Sequence, residues 1–546
     1  MDATHSDRAR HQPDGPGLLR DYLAALLGDD RRLIVASNRG PLSFDRTRSG
    51  IWHAKRGSGG LVTALAELGR MAPVTWVSAA MDSDDRAASA VLRGAPDSGQ
   101  NALLQLIGRE LPGQDLRLDM RPIRADAWQA HYGVVANPLL WFMQHQLYNL
   151  PYEPTIDEQF FTAWHRGYRI VNQVLADAVL EHADDTPGRP VVLLQDYHLY
   201  LAAATIRAER PDALLLHFNH IPWPSVDSWL VLPQGLRRAI CEGLLANDIV
   251  GLQPDRYATN FLASVDAFVR DAHVDPDGRH VRWRGRTIWV RAYPISIEPD
   301  TLVAFSRSPA VERRRAELRA RLERAGRPRL IVRVDRLEPS KNALRGFIAF
   351  ESLLKRRPEL RRSVRFLAIA SLSRPDVDDY ARYAAAVREV VARVNGMADP
   401  DQAPIWLLDG SDHELAIAAL SLADVVLVNP VVDGMNLVAK EAAIVSRAAL
   451  VLSETAGAAE QLASDALMVS AADIAGTAEM LERALEMAPE ERLGRVRRLR
   501  ASVREEDLQW WLTRQLRDLA AVARGRRPPS RALRDTIRRF EPKLRG

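Results

Sequence analysis

The sequence contains a single cysteine, Cys241, and only five lysines among its 546 residues. One cysteine excludes an intrachain disulfide and a cysteine-ligated zinc cluster, so nothing calls for an oxidising compartment. No stretch approaches the roughly 18 to 20 uncharged apolar residues of a membrane span. The apolar run at 18–27 is broken by Arg20 and Asp21, unlike a signal peptide. We therefore expect a cytoplasmic protein without a membrane partner.

Signature motifs of several enzyme classes are also absent. The sequence has no GxxxxGK[ST] phosphate loop, no HExxH zinc motif and no GxSxG nucleophile elbow. A hydrophobic share of 47% and a charged share of 26% are typical of globular proteins, and the length suffices for at least two domains.

Positive charge is concentrated at the C-terminal end. From Arg492 onward, sixteen arginines and one lysine face six acidic residues, a local charge of +11 against the overall +4, which leaves −7 for residues 1–491. A nucleic-acid-binding alternative rests on this basic end alone and predicts salt-dependent affinity that truncation near Gly525 removes. We expect no nucleic-acid partner; the sequence leaves a homo-oligomer open.

Two series of short buried strands alternate with helix-length segments. The first series lies at 33–38, 74–77, 190–194, 214–218 and 248–252, and the second at 330–334, 364–370, 405–408, 424–428 and 449–453. This alternation predicts parallel βα units and an α/β fold of two Rossmann-like halves. We divide the chain into a flexible leader that ends in a short amphipathic helix (1–30), an N-terminal half (31–297), a C-terminal half (298–504), a helix (505–523) and a basic tail (524–546). Ligands should bind between the halves, beyond the carboxyl ends of the strands.

Two loops of the C-terminal half carry candidate binding residues. Arg336 and Lys341 follow the first strand of that half and could converge on a diphosphate; the alternative is a surface ion pair with Glu338 or Asp335. Asp433 and Glu441 lie eight residues apart on a loop and the helix after it. Carboxylates there suit the binding of sugar hydroxyls, and the alternative is a capped helix with a solvated acid.

The N-terminal half places further candidates after its strands. Gly57 to Gly60 precede a predicted helix at 61–68 and form either an anion site or a tight turn. His220 ends a strand, whereas His217 is expected to be buried within it. Asp196 follows another strand. Arg39 and Arg374, one from each half, could together bind a phosphomonoester.

These motifs together resemble the trehalose-6-phosphate synthase family, glycosyltransferase family 20, over about residues 31–519. The resemblance is carried by segments in the family's order: Ser37-Asn38-Arg39, Gly59-Gly60-Leu61, Asp196-Tyr197-His198, His220-Ile221-Pro222, Tyr293-Pro294-Ile295, Val334-Asp335-Arg336 with Lys341, and Asp433 to Glu441. It implies the GT-B fold, two Rossmann-like domains facing each other across a cleft. It also implies a retaining transfer of glucose from UDP- or GDP-glucose to glucose 6-phosphate, giving α,α-trehalose 6-phosphate, with no metal and no cofactor.

The resemblance also assigns site residues. Donor binding falls to Gly59, Gly60, Arg336, Lys341, Ser411, Asp433, Gly434, Met435, Asn436, Leu437, Val438 and Glu441. Acceptor binding falls to Arg39, Trp76, Tyr132, Trp141, Asp196 and Arg374. Catalysis falls to His220, Arg336, Lys341 and Asp433.

Departures from the family pattern leave the substrates open. Asn342 and Ser296 stand where the family usually has glycine, Ser453-Glu454-Thr455 replaces a Gln-Phe pair, and the segment 410–414 lacks the usual aromatic-acid-arginine pattern facing the base. Such changes resemble a pseudo-glycosyltransferase subgroup. The alternatives are therefore a transferase making a glucosyl-polyol phosphate or a pseudo-disaccharide, and a non-catalytic sugar-phosphate sensor.

Overall fold

The computed structural model describes residues 16–28, 31–57, 62, 64–65, 67–94, 98–185, 188–372, 378–410 and 412–525. Two predominantly parallel sheets form two halves. The strands of the first half are β1 (Leu33–Ala36), β2 (Leu42–Arg46), β3 (Trp52–Arg56), β4 (Val74–Ala79), β5 (Leu116–Arg121), β6 (Val191–Gln195), β7 (Leu214–Phe218), β8 (Ile249–Leu252), β9 (His273–Asp275), β10 (His280–Trp283) and β11 (Arg286–Ala292). Those of the second half are β12 (Arg329–Leu337), β13 (Val364–Leu372), β14 (Ile405–Asp409), β15 (Val425–Val428), β16 (Ala449–Ser453) and β17 (Leu467–Val469).

In each large sheet, the order of the parallel-paired strands reverses once. The first sheet runs β5-β4-β1-β6-β7-β8-β11-β10-β9, and the second runs β14-β13-β12-β15-β16-β17. In the first sheet β10 pairs antiparallel with both β11 and β9, and β2 and β3 form a separate antiparallel hairpin. Crevices therefore open beyond β1 and β6 in one half and beyond β12 and β15 in the other. The predicted buried strands and the α/β class are confirmed.

Helices cover both faces of the two large sheets, which explains why their parallel strands are almost continuously apolar. Their bounds are Pro16–Leu27, Ser83–Arg93, Ser98–Glu110, Ala125–Trp128, Phe142–Gln144, Glu158–Ala163, Arg169–Asp184, Ala202–Glu209, Val226–Trp229, Gln234–Leu245, Asp255–Phe268, Pro299–Ser306, Pro309–Arg324, Ala343–Arg356, Leu360–Ser363, Asp378–Asn395, His413–Leu422, Leu437–Val445, Ala459–Leu462, Ile474–Glu486, Pro489–Glu505 and Leu508–Ala523. Wider π-helical turns occupy Gln129–Trp141 and Trp164–Tyr168, and short 3-10 turns occupy Glu67–Arg70, Tyr197–Leu199, Pro339–Lys341 and Pro400–Gln402. Within the described ranges, no helix has the length and apolarity to cross a bilayer.

The leader ends in an amphipathic helix, as expected, at Pro16–Leu27. Its leucines at 19, 23, 26 and 27 are all buried, and the helix packs against the last helix that the structure describes. Their spacing of four, three and one residues puts them on one face, so the burial of that face orders the segment. Residues 1–15, 29 and 30 lie outside the described ranges, as do 58–61, where the helix predicted at 61–68 was to begin.

The last helix crosses from the second half back onto the first sheet. It begins at Leu508 rather than at 505, because the Asp507 side chain caps it by accepting a hydrogen bond from the Trp510 amide. The fully buried Trp511 donates its indole N–H to the Tyr293 carbonyl at 3.0 Å, and Tyr293 donates its hydroxyl to Asp518 at 2.8 Å. Buried polar contacts thus fix this helix to the first half.

Much of the basic end that the structure describes is neutralised locally. Arg498 pairs with Asp465 at 2.7 Å and Arg504 with Asp300 at 2.8 Å, while Arg500 donates to backbone carbonyls. Residues 526–546 lie outside the described ranges.

Candidate active site

The candidate residues gather at the two points where strand order reverses. In the first half, Arg39 follows β1 and Asp196 follows β6. In the second half, Arg336 lies near the end of β12, Lys341 ends the turn after it, and Asp433 follows β15. Each crevice therefore receives side chains from two neighbouring strands, and the two crevices face each other across the cleft.

Lys341 and Asp433 form a close ion pair within the second crevice. The Lys341 Nζ lies 2.5 Å from Asp433 Oδ2, and the side chains are only 14% and 12% exposed. Asn436 donates a further hydrogen bond to the same carboxylate oxygen at 3.1 Å. Burial opposes both charges, but their mutual attraction outweighs it, raising the pKa of Lys341 and lowering that of Asp433. Both groups are therefore charged at neutral pH.

Arg336 has an acidic partner of its own. Its guanidinium lies 3.1 Å from Glu338 Oε1, and Ser340 donates to the same oxygen at 2.9 Å. Glu338 is fully buried while the Arg336 side chain is 45% exposed. The predicted ion pair of Arg336 with Glu338 is therefore present, but its acid is buried and does not lie at the surface. Glu338 holds one side of the Arg336 guanidinium, and the remaining nitrogen atoms point toward the cleft. There the guanidinium lies 5.7 Å from the ring centroid of Trp141, which belongs to the other half.

The turn carrying Lys341 is held from beneath. The fully buried Arg333 donates to the Lys341 carbonyl at 2.6 Å and pairs with Asp335 at 2.8 Å. Asn342, where the family resemblance predicts glycine, adopts φ +61°, and its side-chain amide donates to the carbonyls of Asn429 and Ala471. Asparagine tolerates this left-handed conformation better than most residues, so the departure from glycine preserves the turn.

The two halves touch through their backbones beside this pair. A β-carbon at Gly434 would overlap the carbonyl oxygen of His220 in the opposite half, so only glycine permits the approach. Tyr257 of the first half donates its hydroxyl to the Asp433 carbonyl at 3.0 Å. Arg256 donates to the Thr455 carbonyl at 3.1 Å. The loop at 433–436 is thus fixed by contacts from both sides of the cleft.

Glu441 lies in the helix that follows this loop. Asn436 begins the helix with φ +78°, and its side chain accepts a hydrogen bond from the Ala439 amide at 3.3 Å. Met435 is buried, whereas Leu437 and Val438 are partly buried. Glu441 has no hydrogen-bond or ion-pair partner in the described part of the chain, and burial raises its pKa to about 7. A carboxylate left unpaired in this way suits a pair of ligand hydroxyls.

His220 and Asp196 occupy the first crevice together. Asp196 adopts φ +72° and accepts the His220 amide hydrogen at 3.1 Å; burial raises its pKa to about 7. Burial lowers the pKa of His220 to about 3, so its imidazole is neutral, and its Nε2 lies 2.9 Å from the side-chain oxygen of Gln195. His217 is fully buried within β7, as expected from its place in the strand.

Arg39 and Tyr132 form an exposed polar part of the same crevice. An Arg39 guanidinium nitrogen lies 3.3 Å from the Tyr132 hydroxyl. The Tyr132 ring stacks on Trp128 with a centroid separation of 5.2 Å. A cation and a phenol side by side can bind one phosphate group.

Trp76 is placed differently from the acceptor-binding expectation. It is 1% exposed in the main hydrophobic core, and its indole donates to Ser37 Oγ at 2.7 Å. Ser37 in turn donates to the Arg39 carbonyl at 2.6 Å. Trp76 therefore supports the loop of Arg39 from below instead of lining the cleft, because its strand position points into the core.

A model of glycosyltransferase family 20 matches residues 31–521. The chain belongs to glycosyltransferase family 20. It is therefore an enzyme of the hexosyltransferase type with a GT-B fold, as the sequence motifs predict.

Relatives of this glycosyltransferase carry two kinds of name. Validamine 7-phosphate valienyltransferase of Streptomyces hygroscopicus subsp. jinggangensis is 32% identical over 493 residues, covering 90% of this chain and 94% of that protein. Trehalose-6-phosphate synthase of Mycolicibacterium smegmatis is 32% identical over 502 residues, covering 90% and 92%. Against the bifunctional trehalose-6-phosphate synthase/phosphatase of Thermoproteus tenax, identity is 32% over 518 residues, and the chain spans 65% of that protein.

Two solved structures share the fold. A trehalose-6-phosphate protein from E. coli bound with UDP-2-fluoro glucose superposes with a TM-score of 0.74 at 26% identity, covering 90% of this chain and 99% of that one. An α,α-trehalose-phosphate synthase (UDP-forming) from Burkholderia xenovorans in complex with glucose-6-phosphate gives 0.72 at 27% identity, covering 89% and 100%.

Several predicted site residues of the glycosyltransferase lie outside the described ranges: Gly59, Gly60, Arg374 and Ser411. Others that line the site were not predicted. His145 stacks on Trp141 with a centroid separation of 3.9 Å and contacts the Trp141 carbonyl through Nδ1 at 2.8 Å. Arg333 went unassigned and Glu338 was named only as a surface ion-pair partner, although both lie within eight residues of Lys341. Their positions three residues before and two residues after Arg336 are the signal that could have found them.

Proposed function

We propose that this glycosyltransferase transfers glucose from a nucleoside-diphosphate glucose, UDP- or GDP-glucose, to glucose 6-phosphate and forms α,α-trehalose 6-phosphate. The observation that supports this proposal is that two sets of charged and polar side chains face each other across the cleft. Arg336 and the Lys341–Asp433 pair lie on one side of the cleft, and Arg39 with Tyr132 and Asp196 lie on the other. The names of the Mycolicibacterium relative and the two solved structures support the same substrates.

The proposed donor site follows from charge and hydroxyl chemistry. Arg336 and Lys341 face the diphosphate, Asp433 accepts hydrogen bonds from glucose hydroxyls, and Glu441 accepts them from the ribose. The loop from Gly434 to Val438 encloses the sugar, with backbone amides at the start of its helix available to the diphosphate.

The proposed acceptor site binds the phosphate through Arg39 and Tyr132, joined by Arg374. Asp196 accepts hydrogen bonds from the sugar, and Trp141 packs against it. Trp141 also lies under Arg336, so acceptor and diphosphate adjoin the same indole.

The transfer retains the anomeric configuration by attack on the face from which the diphosphate leaves. The acceptor C1 hydroxyl oxygen bonds to the donor anomeric carbon as the bond to the diphosphate breaks, and the leaving phosphate oxygen takes the hydroxyl proton. Arg336 and Lys341 stabilise the charge that develops on the departing diphosphate. His220 is neutral, and we place it in contact with the donor sugar near the reacting carbon. Because two cations already face the diphosphate, we propose that no metal or other cofactor is required.

A second candidate is a transferase that makes a glucosyl-polyol phosphate or a pseudo-disaccharide. It is favoured by the valienyltransferase relative, which is as similar to this chain as the synthase relatives named above. The segment 410–414, expected to face the base, also differs from the family pattern in its contacts: Asp412 pairs with Arg314 at 2.6 Å, and the His413 ring stacks on Phe305 with a centroid separation of 5.0 Å.

The deciding experiment pairs UDP-, GDP- and ADP-glucose with glucose 6-phosphate, polyol phosphates and cyclitol phosphates. Nucleotide release and product mass are measured for each pair in the presence of EDTA. The proposal expects the fastest release with glucose 6-phosphate and a product of the mass of a disaccharide phosphate. Faster release with a polyol or cyclitol phosphate would favour the second candidate. Release that no sugar phosphate accelerates would refute the first, and dependence on added metal would refute the metal-free mechanism.

A further inference from the structure

A second cavity lies in the first half, apart from the candidate active site. It has a volume of about 540 Å³ and is enclosed by the helices Arg169–Asp184, Ala202–Glu209 and Gln234–Leu245 and by the β10–β11 hairpin. None of its lining residues belongs to the donor or acceptor sets. Its volume falls in the range of sites that hold small molecules.

The cavity carries more positive charge than its carboxylates can balance. Four arginines line it, at 169, 207, 284 and 286, against one glutamate, Glu242. Arg207 and Arg286 share a single acid, Asp248, at 2.7 and 3.0 Å. Burial and the charge of Arg207 both lower the pKa of Arg286, as expected where cations crowd.

Two of these arginines are available to a ligand. Arg169 is exposed, and its side chain has neither an ion pair nor a hydrogen bond in the described part of the chain. Arg284 lies 3.8 Å from Glu242 and 4.0 Å from Asp271, too far for strong pairing, and Glu242 is already bound by Arg238 at 2.7 Å. Alanines and the indoles of Trp164 and Trp283 supply the apolar wall.

The cavity wall is hydrogen-bonded to the segment that follows Asp196. Asn172 lines the cavity, donates to the His198 carbonyl at 3.0 Å and accepts the Leu201 amide hydrogen at 3.0 Å. Tyr168, one turn earlier in the chain, donates to the Tyr197 carbonyl at 2.5 Å. A ligand that moved this wall would therefore move the proposed acceptor carboxylate.

We propose that this cavity binds a small organic anion bearing phosphate or carboxylate groups, and that its occupancy changes the affinity for the acceptor. The second part rests on the proposed function; the first does not. Arg169 and Arg284 bind the anionic groups, and the alanine and indole carbons contact its apolar part.

Calorimetric titration with two probes, glycerol 3-phosphate and citrate, tests the binding. The informative variant is Arg169→Gln/Arg284→Asn, where asparagine suits the φ of +48° at 284. Arg166→Gln, an exposed arginine of the same helical segment, is the matched control, and Arg39→Ala removes binding at the proposed acceptor site. We expect saturable binding of at least one probe to the parent, Arg166→Gln and Arg39→Ala, weakened at least about tenfold in the double variant. No saturable binding of either probe, loss in Arg39→Ala, or equal binding in the double variant would each overturn the proposal.

Kinetics test the coupling. Saturation with whichever probe binds should change the KM for glucose 6-phosphate by about fivefold or more in the parent enzyme. The same probe should leave this KM unchanged in Arg169→Gln/Arg284→Asn. A probe that binds the parent without this difference overturns the regulatory part. If no sugar phosphate is an acceptor, the proposed function fails while the titrations still decide the binding.

Discussion

Replacing Lys341 by methionine tests the role of the Lys341–Asp433 pair. The change removes the ammonium 2.5 Å from Asp433 and leaves a carboxylate that is 12% exposed, with the Asn436 amide still donating to it. Breaking a buried pair by removing one partner costs about 3–5 kcal/mol of unfolding free energy. The loss of a cation from the departing diphosphate should in addition lower kcat by about 10²–10³.

The pH dependence of the variant has a definite sign. Pairing lowers the pKa of Asp433 in the parent, so its stabilisation is present above the ordinary pKa of aspartate and is lost as pH falls through the lowered value. Without Lys341 the buried carboxyl takes up a proton more readily, so the stability deficit should be larger near about pH 8 than near about pH 5. Urea unfolding at both pH values and steady-state kinetics measure the two effects.

Two further variants separate folding from catalysis. In Lys341→Met/Asp433→Asn the unpaired charge is gone, so most of the lost stability should return while activity stays low. Lys355→Met removes a lysine that is 63% exposed, and its partner Glu351 stays bound to Arg393 at 2.8 Å, so the loss of stability should be small and turnover should not change. Unchanged stability and turnover in Lys341→Met, or recovery of turnover in the double variant, would show that the Lys341–Asp433 pair has neither role.

Three other predictions follow from single contacts. Gly434→Ala forces a β-carbon into the His220 carbonyl and should lower kcat/KM about 100-fold. Gly494→Ala, whose β-carbon contacts only the end of the Arg498 side chain, should leave activity unchanged. Equal activity of both variants would contradict the close approach of the halves. Tyr132→Phe removes the hydroxyl beside Arg39 and should raise the KM for glucose 6-phosphate about three- to tenfold with little change in the donor KM, and an unchanged acceptor KM would remove Tyr132 from the phosphate site. Glu441, with its pKa raised to about 7, is protonated as pH falls below that value, so the donor KM should rise at low pH in the parent and not change with pH in Glu441→Gln. The same substitution should stabilise the fold at alkaline pH, where the buried carboxylate is charged. Parallel pH profiles of the donor KM in both proteins would contradict the assignment of Glu441 to the donor site.

The strands and their loops were predictable because each element carries a local pattern. Short apolar runs between helix-length segments indicated parallel strands, and the rule that ligands bind beyond strand ends put Arg336, Lys341, Asp433 and Asp196 at one cleft. The structure adds that these positions flank the strand-order reversals, which no local pattern specifies.

Contacts between distant residues were not predictable in this way. The pairing of Lys341 with Asp433 spans 92 residues. The stacking of His145 on Trp141 arises where a π-helical segment ends and a short α-helix follows, a change of helix that no apolar periodicity indicates. Trp76 was expected in the acceptor pocket because the family resemblance specifies which residue stands at this position but not where its side chain points. Its place in β4 directs the side chain into the core. The amphipathic pattern near the N-terminus predicted a helix but not its partner, because the last helix that the structure describes lies almost 500 residues away.

The stereochemistry of the product decides whether this enzyme is a retaining trehalose-phosphate synthase. The purified enzyme would be supplied with glucose 6-phosphate and its preferred nucleoside-diphosphate glucose, carrying ¹³C at the anomeric carbon, and the product followed by NMR. We expect a disaccharide phosphate in which the labelled carbon keeps its α configuration and is joined to a second α-anomeric carbon. A β-linked product, or labelled glucose formed only by hydrolysis, would contradict it.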